Sequence, residues 1–253
     1  MNQPAAEATQ FDPAAADQME KIISDLGRMY QERNEALQEV ARAHHESLFL
    51  LAVAAEYKDN DTGVHIVRIG FLAEALALHL GQSQAYALLL RKAAPMHDVG
   101  KIAIPDSVLK KPGSLTPDER RIMNSHATKG ADLLSKSRIA LFQLAAEIAL
   151  THHERWDGQG YPRGLAGDAI PLSGSIVSVV DFYDALTMDR VYRPAFSQEK
   201  ALEMMREQSG KAFNPAIVEC FMRHADALEA LRLRISEDSV SFEDLVQAPG
   251  ANQ

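Results

Sequence analysis

The sequence predicts an all-α fold with a long N-terminal helix. Apolar residues recur at alternating steps of three and four from Met19 onward, which is the spacing of one helix face. Helix start and stop signals continue after Leu50, and no segment shows a convincing period of two, the pattern of a half-buried strand. With 253 residues, 46% of them apolar, the chain can bury one large core or two small ones.

The N-terminal region divides into two segments. Residues 1–18 are rich in Ala, Gln, Pro and Asp and have little to bury, which predicts disorder. Residues 19–50 predict one helix with a seam of coiled-coil spacing, although Arg33 and Ser47 interrupt that seam. Two interpretations stay open: a parallel homodimer through this helix, or a helix that packs on the rest of the chain. The seam consists of Met19, Ile22, Leu26, Met29, Arg33, Ala36, Val40, Ala43, Ser47 and Leu50.

A folded helical domain is expected over residues 51–235, followed by a C-terminal tail at 236–253. Gly81 ends the first helix of this domain, and Ser83 is a suitable N-cap for the next. The run Thr116-Pro117-Asp118-Glu119 combines an N-cap, a proline at the first helical position and a glutamate at the third. This combination predicts the start of another helix.

Two further signals complete the pattern. Asn214-Pro215 predicts a helix that continues to about Leu233. Between Glu154 and Pro171 the chain contains four glycines and a further proline, which is too many breakers for regular structure. A loop is therefore expected directly after the adjacent pair His152-His153.

Composition and charge exclude several classes of function. The net charge of −9 argues against a broad surface for DNA or anionic lipid. The longest apolar runs, Leu48–Ala55 and Ile139–Leu150, are shorter than a membrane span. The N-terminus has no basic region before an apolar stretch, and the single Cys220 cannot form an internal disulfide, so a cytoplasmic protein is expected.

Imidazoles and carboxylates recur beside helical segments in a pattern that predicts a metal centre. A single histidine in an apolar helix is more often structural, but a set of seven such residues is typical of a site for divalent ions. Asp98 adjoins His97 and is the natural carboxylate to bridge two ions, which would position a hydroxide as the nucleophile. The expected ligands are His65, His97, Asp98, His126, His152, His153 and Asp181.

Lys101 follows His97 by four residues, so on a helical turn both side chains could face one cavity. Its ammonium group would then contact a phosphoryl oxygen of an anionic substrate. On spacing alone Lys101 could equally be a surface lysine, and the family resemblance of the motifs around it favours the catalytic role. Asp98 and Lys101 are the two residues expected to take part in catalysis.

These motifs resemble the HD-GYP family of cyclic di-GMP phosphodiesterases over about residues 51–225. The resemblance implies an all-α HD-domain helical bundle with two divalent metal ions, iron or manganese, or three. It also implies hydrolysis of cyclic di-GMP to pGpG, to GMP, or to both. The resemblance is carried by Asp61-Thr62-Gly63-Val64-His65, His97-Asp98-Val99-Gly100-Lys101, His126-Ala127-Thr128-Lys129-Gly130, His152-His153 with Gly160-Tyr161-Pro162, and Asp181-Phe182-Tyr183-Asp184-Ala185-Leu186-Thr187.

The resemblance also implies roles for residues outside the seven ligands. Family members with three metals have an acidic residue at the position of Asp61, where it is typically Glu; here Asp61 is either a third-metal ligand or an N-cap. Gly160, Tyr161 and Pro162 are expected to shape the mouth of the pocket and to contact GGDEF-domain proteins. The residues expected to contact substrate are Lys101, Asp184, Arg190, Tyr192 and Arg193, with Asp184 alternatively orienting a ligand or pairing with an arginine.

Three functions remain compatible with the sequence. The first is metal-dependent hydrolysis of cyclic di-GMP, for which every expected ligand is present. The second is a receptor or signalling scaffold that binds a cyclic dinucleotide without hydrolysing it. The third is a phosphodiesterase that prefers another cyclic dinucleotide, such as cyclic GMP-AMP.

Overall fold

The computed structural model describes residues 13–59, 63–189 and 194–237, and within them the protein is helical without a named strand. Three short 3-10 segments accompany the α-helices: Ala94–Met96, Val99–Ala103 and Gly167–Ala169. The α-helices of the described residues are α1 (Pro13–Asp59), α2 (Val64–His79), α3 (Gln84–Ala93), α4 (Asp106–Leu109), α5 (Pro117–Leu134), α6 (Ala140–Thr151), α7 (Leu172–Thr187), α8 (Gln198–Glu207), α9 (Pro215–Arg223) and α10 (Ala225–Glu237). The all-α fold predicted from the sequence is confirmed.

The N-terminal helix is longer than the sequence pattern indicates. α1 begins at Pro13, inside the 1–18 segment that was expected to be disordered, and it ends at Asp59 rather than near residue 50. Three consecutive alanines after Pro13 explain the earlier start, because alanine has the highest helix propensity. The chain divides into two compact units between His44 and His45, which lies within α1.

The second unit is organised around α2. Ile66, Ile69, Leu72 and Leu76 of this helix are completely buried, and α2 packs against α3, α7 and α10. A helix that is apolar on nearly all sides belongs in the centre of a bundle. The N-terminus of α2, which carries His65, is thereby fixed from several directions.

The helix boundaries follow the predicted capping signals in three places. The Ser83 hydroxyl accepts a hydrogen bond from Tyr86 N–H, and Asn214 accepts one from Ala216 N–H. Thr116 and Glu119 form a complete capping box at the start of α5. These side chains satisfy backbone N–H groups that have no partner within their own helix.

The prediction of the last helix is wrong in one respect. The sequence predicts one helix from Pro215 to about Leu233, whereas the structure has α9 and α10 with a break at His224. His224 leaves the helical conformation, and its N–H bonds to the carbonyl oxygens of Cys220 and Phe221. Neither glycine nor proline marks this break, so the breaker signals could not reveal it.

None of the helices described is both long and apolar enough to cross a lipid bilayer. The sequence-based expectation for the tail concerns residues 236–253, of which the structure describes Ser236 and Glu237 at the end of α10.

Candidate metal centre

Seven imidazole and carboxylate side chains converge from separate parts of the bundle. α2 contributes His65, and α7 contributes Asp181. The turn between two 3-10 segments carries His97 and Asp98. The remaining three are His126 on α5 and the pair His152-His153 at the C-terminal end of α6. The structure therefore brings together all seven residues that the sequence predicts as ligands.

A close approach of backbones positions Asp98 against α5. A β-carbon built on Gly100 would lie 1.9 Å from the carbonyl oxygen of His126 and 2.6 Å from the backbone nitrogen of Gly130. Any side chain at this position would clash with these backbone atoms unless the two segments moved apart. Glycine at position 100 thus allows the segment after Asp98 to lie directly on the helix that carries His126.

The seven side chains form two donor groups. The first consists of His65, His97 and Asp181, and the second of Asp98, His126, His152 and His153; within each group the donor atoms all lie within 4.8 Å of one another.

Asp98 joins the two donor groups through its two carboxylate oxygens. Its Oδ1 lies 3.1 Å from His126 Nε2 and 3.6 Å from His152 Nε2. Its Oδ2 lies 3.4 Å from His97 Nε2. One carboxylate oxygen therefore faces each group, which is the arrangement that a bridging carboxylate requires.

Backbone carbonyl groups determine which ring nitrogen carries the proton. Nδ1 lies 3.1 Å from Ala94 O in His97, 2.8 Å from Met123 O in His126 and 3.0 Å from Ile148 O in His152. Because a carbonyl oxygen only accepts, each Nδ1 must donate, and in the neutral ring each Nε2 then presents a lone pair. These lone pairs point towards the centre of the cluster.

The inward atoms lack partners among the described residues. Asp98 Oδ1 and the Nε2 atoms of His97, His126 and His152 are buried and form no hydrogen bond. Acceptor atoms that face one another without a donor are unfavourable in a buried site. Imidazole and carboxylate groups in this arrangement fit divalent metal ions, one in each donor group, which together would satisfy all four atoms.

Asp184 lies behind His65. It is completely buried, accepts from His65 Nδ1 at 2.7 Å and receives two hydrogen bonds from Arg68 at 2.6 and 2.9 Å. Burial raises the pKa of Asp184, but its bonds to His65 and Arg68 outweigh this and lower it to about 2. Of the roles that the sequence suggests for Asp184, these contacts support orientation of His65 and pairing with an arginine; substrate contact would require an exposed carboxylate.

Lys101 lies beside the bridging carboxylate, on a 3-10 turn rather than an α-helical one. Its Nζ is 2.8 Å from Asp98 Oδ2. Burial raises the pKa of Asp98, but Lys101 and His97 hold it well below its usual range. Asp98 therefore stays ionised at neutral pH.

Two lysines to which the sequence assigned no role hold the end of residues 99–104, which we call the Lys101 segment. Lys58 Nζ donates to the carbonyl oxygens of Ile102 at 2.7 Å and Ile104 at 2.6 Å, and Lys129 donates to that of Ala103 at 3.0 Å. These contacts join the segment to α1 and α5.

Glu56 was also missed by the sequence analysis. The residue is only 3% exposed. Burial raises its pKa, and the nearby His65, His97 and Lys101 lower it. Glu56 therefore belongs to the electrostatic surroundings of the first donor group. It lies just beyond the predicted helical seam and outside every motif, so only the folded structure reveals it.

A cavity of about 510 Å³ opens on the donor groups, and we refer to it as the metal-side cavity. The cavity is lined by the donor residues His152, His153 and Asp181 and by the apolar side chains of Phe182 and Phe213. Its size and mixture of apolar surface with a few polar groups are typical of a small-molecule site.

The Gly160-Tyr161-Pro162 loop borders this cavity. The Tyr161 ring stacks on His153, with 4.7 Å between ring centroids. Glu154 is buried and accepts hydrogen bonds from the N–H groups of Arg163 and Leu165, which fixes the loop. Gly160 is required here because a β-carbon would lie 2.3 Å from Arg155 N.

Four residues that the sequence places in the site lie outside the described residues: Asp61, Arg190, Tyr192 and Arg193.

Comparisons with known proteins agree with the fold and the motifs. The HD domain family model matches residues 17–217. The chain is 47% identical over 178 residues to a cyclic di-GMP phosphodiesterase of Thermotoga maritima, an alignment that covers 70% of this chain and 48% of the relative. It is 38% identical over 219 residues to the 3′3′-cGAMP-specific phosphodiesterase 2 of Vibrio cholerae, covering 87% of this chain and 42% of the relative.

A solved structure shows the same fold. The cyclic GMP-AMP-specific phosphodiesterase V-cGAP3 of V. cholerae aligns with a TM-score of 0.57 at 19% identity, over 76% of this chain and 53% of that chain. The chain thus spans about half the length of the proteins it matches. Its helical bundle, its convergent histidines and aspartates and its match over residues 17–217 show that the chain belongs to the HD domain family.

Proposed function

We propose that this protein is a metal-dependent phosphodiesterase that hydrolyses cyclic di-GMP to pGpG, to GMP, or to both. The observation that carries the proposal is Asp98, a buried carboxylate with one oxygen towards each donor group. The names of the relatives supply the substrate class, since a relative 47% identical to this chain is a cyclic di-GMP phosphodiesterase.

The proposed cofactor is a pair of divalent metal ions, iron or manganese, held by the seven donor residues. Histidine and carboxylate donors suit these ions, and Cys220, on α9, belongs to neither donor group. Ions bound there would lower the pKa of water enough to supply a nucleophile at neutral pH. Asp61, outside the described residues, is the proposed ligand of a third ion if one binds.

The protein's own side chains would orient the substrate and offset charge. Lys101 Nζ, 2.8 Å from Asp98 Oδ2, is proposed to contact a phosphoryl oxygen, where negative charge grows during in-line displacement. Phe182 and Phe213 would pack against the adjoining nucleoside in the metal-side cavity. Arg190, Tyr192 and Arg193 are proposed to bind the second phosphate and a base.

The proposal is tested by anaerobic purification, metal analysis and incubation with cyclic di-GMP, followed by chromatography of the products. We expect two ions per chain and conversion of the dinucleotide to pGpG or GMP. The Asp98→Asn variant should lose both activity and metal. If the iron- or manganese-loaded protein binds cyclic di-GMP tightly and leaves it intact, the protein is a receptor and the proposed activity is wrong.

A second candidate substrate is 3′3′-cyclic GMP-AMP. The V. cholerae relative that is 38% identical to this chain is specific for that nucleotide. The same chromatographic assay with both dinucleotides at equal concentration decides between them. If kcat/KM is higher for cyclic GMP-AMP, that nucleotide replaces cyclic di-GMP as the proposed substrate.

We also propose that the N-terminal part of α1 pairs with a second copy of this chain. The seam residues Met19, Leu26 and Met29 are 61%, 59% and 61% exposed in the single chain. A parallel coiled coil would bury them. Light scattering should show a dimer that Leu26→Lys disrupts, whereas Ile23→Lys, also on an exposed residue but off the seam, should leave it intact. A monomer at every concentration would exclude this pairing.

The Gly160-Tyr161-Pro162 loop is the proposed contact for GGDEF-domain proteins. Pro162 and the following Arg163 are exposed. Binding of a GGDEF domain, measured by interferometry, should weaken on Arg163→Glu. The control Arg223→Glu, on α9, should have no effect, and equal binding by all three proteins would exclude the loop as the contact.

A further inference from the structure

Tyr161 also lines a second cavity, of about 470 Å³, which we refer to as the α5 cleft. Arg120, Arg121 and Asn124 of α5 line it together with Tyr161 and Pro162. Of the residues in the family motifs, Thr128, Tyr161 and Pro162 line it, whereas Arg120, Arg121 and Asn124 belong to none of those motifs. The α5 cleft is therefore a feature of the site that the motifs do not explain.

Tyr161 lines both the α5 cleft and the metal-side cavity, so the two cavities adjoin at this side chain. Its ring centroid is 4.7 Å from that of His153 and 6.3 Å from that of His126. Burial raises the pKa of Tyr161, and Asp98, Lys101 and Arg120 all lie near enough to influence it. A ligand in the metal-side cavity can thus extend past one side chain into the α5 cleft.

The cleft is rich in hydrogen-bond donors. Arg121 is paired with Asp118 at 2.7 Å, but Arg120 has no carboxylate within ion-pair distance among the described residues. No acidic residue is among those of the described chain that line the cleft. In a protein of net charge −9, this is a local surplus of donors and of positive charge.

These donors match guanine better than adenine. The exposed edge of guanine presents two acceptors, O6 and N7, which a guanidinium group binds bidentately. Adenine presents one acceptor and one amino donor on the same edge, so a guanidinium group cannot satisfy both. Tyr161 and Pro162 offer flat apolar surface on which a base can stack.

A cyclic dinucleotide has two phosphodiesters and two bases, so the half that is not reacting must lie outside the donor groups. We propose that the α5 cleft binds the base of this non-reacting half and that Arg120 selects guanine there. This inference rests on the proposed function and refines it, because it assigns a base preference to a particular residue.

The test measures base preference separately from chemistry. Hydrolysis of bis(p-nitrophenyl) phosphate, which has no base, reports on the metal centre alone. The inhibition constants of cyclic di-GMP and cyclic di-AMP against this reaction report binding whether or not either dinucleotide is itself hydrolysed. Calorimetric titration of the metal-loaded protein gives the same comparison if the small diester is not turned over.

We expect wild type to bind cyclic di-GMP about ten- to a hundredfold more tightly than cyclic di-AMP, the range for one bidentate contact. Arg120→Ala should reduce this ratio to about two while leaving kcat for the small diester unchanged. Arg120→Lys keeps the charge without the bidentate geometry, so it should also lose most of the preference. Arg223→Ala, which removes an exposed arginine on α9 that is paired with Glu219, is the matched control and should behave as wild type.

Two results would overturn the inference. If Arg120→Ala weakens both dinucleotides equally, the arginine contacts phosphate and does not read the base. If it changes neither, the α5 cleft is not part of the nucleotide site. If the proposed function is wrong, wild type hydrolyses no cyclic dinucleotide, but its affinities for cyclic di-GMP and cyclic di-AMP can still be compared. Failure of the proposed function is therefore distinguishable from failure of this inference.

Discussion

The individual histidines of the centre are oriented by what lies behind them. Three of them bond through Nδ1 to backbone carbonyl groups, and His65 bonds through Nδ1 to Asp184. Each Nε2 is thereby turned inwards before any ion binds. Such outer contacts fix the tautomer and the ring orientation of a ligand and so contribute to metal affinity.

Replacement of Asp184 should expose this contribution. Asp184→Asn removes the charge that pairs with Arg68 and weakens the bond to His65. We expect metal affinity to fall by about ten- to a hundredfold, the usual effect of losing an outer partner. Metal titration against a competing chelator measures it.

The matched control is Glu74→Gln. Glu74 pairs with Arg91 at 3.1 Å in another buried pair, but neither residue belongs to a donor group. This variant should lower stability without changing metal affinity. Equal loss of metal affinity in both variants would mean that Asp184 acts only through general stability.

Gly100 should tolerate no side chain. A β-carbon there would lie 1.9 Å from His126 O, so Gly100→Ala must push the Lys101 segment away from α5. We expect a loss of about 3 kcal/mol or more in the free energy of unfolding, at the upper end for overpacking, together with weakened metal binding.

Gly27→Ala is the control for this prediction. Nothing lies within 4 Å of a β-carbon at Gly27, on the exposed part of α1, so alanine there should be neutral or slightly stabilising. Urea denaturation of both variants measures the difference. A Gly100→Ala protein as stable as wild type would show that α5 and the Lys101 segment can separate without penalty.

The sequence reveals residues that stand in local motifs and misses those whose role depends on long-range contacts or burial. The seven donors stand in short motifs, so their chemistry was readable from local spacing. Glu56, Lys58 and Lys129 act through contacts over 26 or more residues or through burial, neither of which leaves a local pattern. Likewise, only the cavity that Arg120 lines indicates a role for this residue.

At the scale of elements, α5 combines a stabilising N-terminal cap with a residue of the donor groups. Its capping box fixes its first turn, and its middle carries His126. The start signal of this helix was predictable because it is entirely local, whereas the break between α9 and α10 was not, because no residue type marks it.

The capping box should contribute stability but not metal affinity. Thr116→Ala removes the acceptor for Glu119 N–H, and we expect the free energy of unfolding to fall by about 1 kcal/mol. His126 lies well inside the helix, so metal affinity should be unchanged. Ser83→Ala removes the equivalent cap of α3 and should behave alike in urea denaturation. A selective loss of metal affinity in Thr116→Ala would contradict this separation.

At the scale of the whole molecule, protons and metal ions compete for the same cluster. Burial lowers the pKa of His97, but Asp98, Asp181 and Glu56 together raise it from 6.5 to about 9 in the metal-free protein. Since the folded value is the higher one, protonated His97 stabilises the metal-free fold below pH 6.5, and this contribution disappears as the pH rises through about 9.

Metal binding must displace this proton. We therefore expect the affinity for Mn²⁺ to rise as the pH increases from 6.5 to about 9, with protons released on binding. Calorimetry in buffers of different ionisation enthalpy counts the protons. Affinity that is constant over this interval would contradict a protonated His97 in the metal-free protein.

Helix α7 both supports the donor groups and lines the metal-side cavity, so substitutions on it would affect both. It supplies Asp181 to a donor group and Asp184 to the support of His65, and between and beside them Phe182 and Ala185 line the metal-side cavity. Substitutions on α7 that reshape the cavity would therefore also disturb residues proposed to hold or support the metal ions. Met204 on α8 lines the same cavity from a helix that carries none of the seven donors, so laboratory selection for altered nucleotides should begin there.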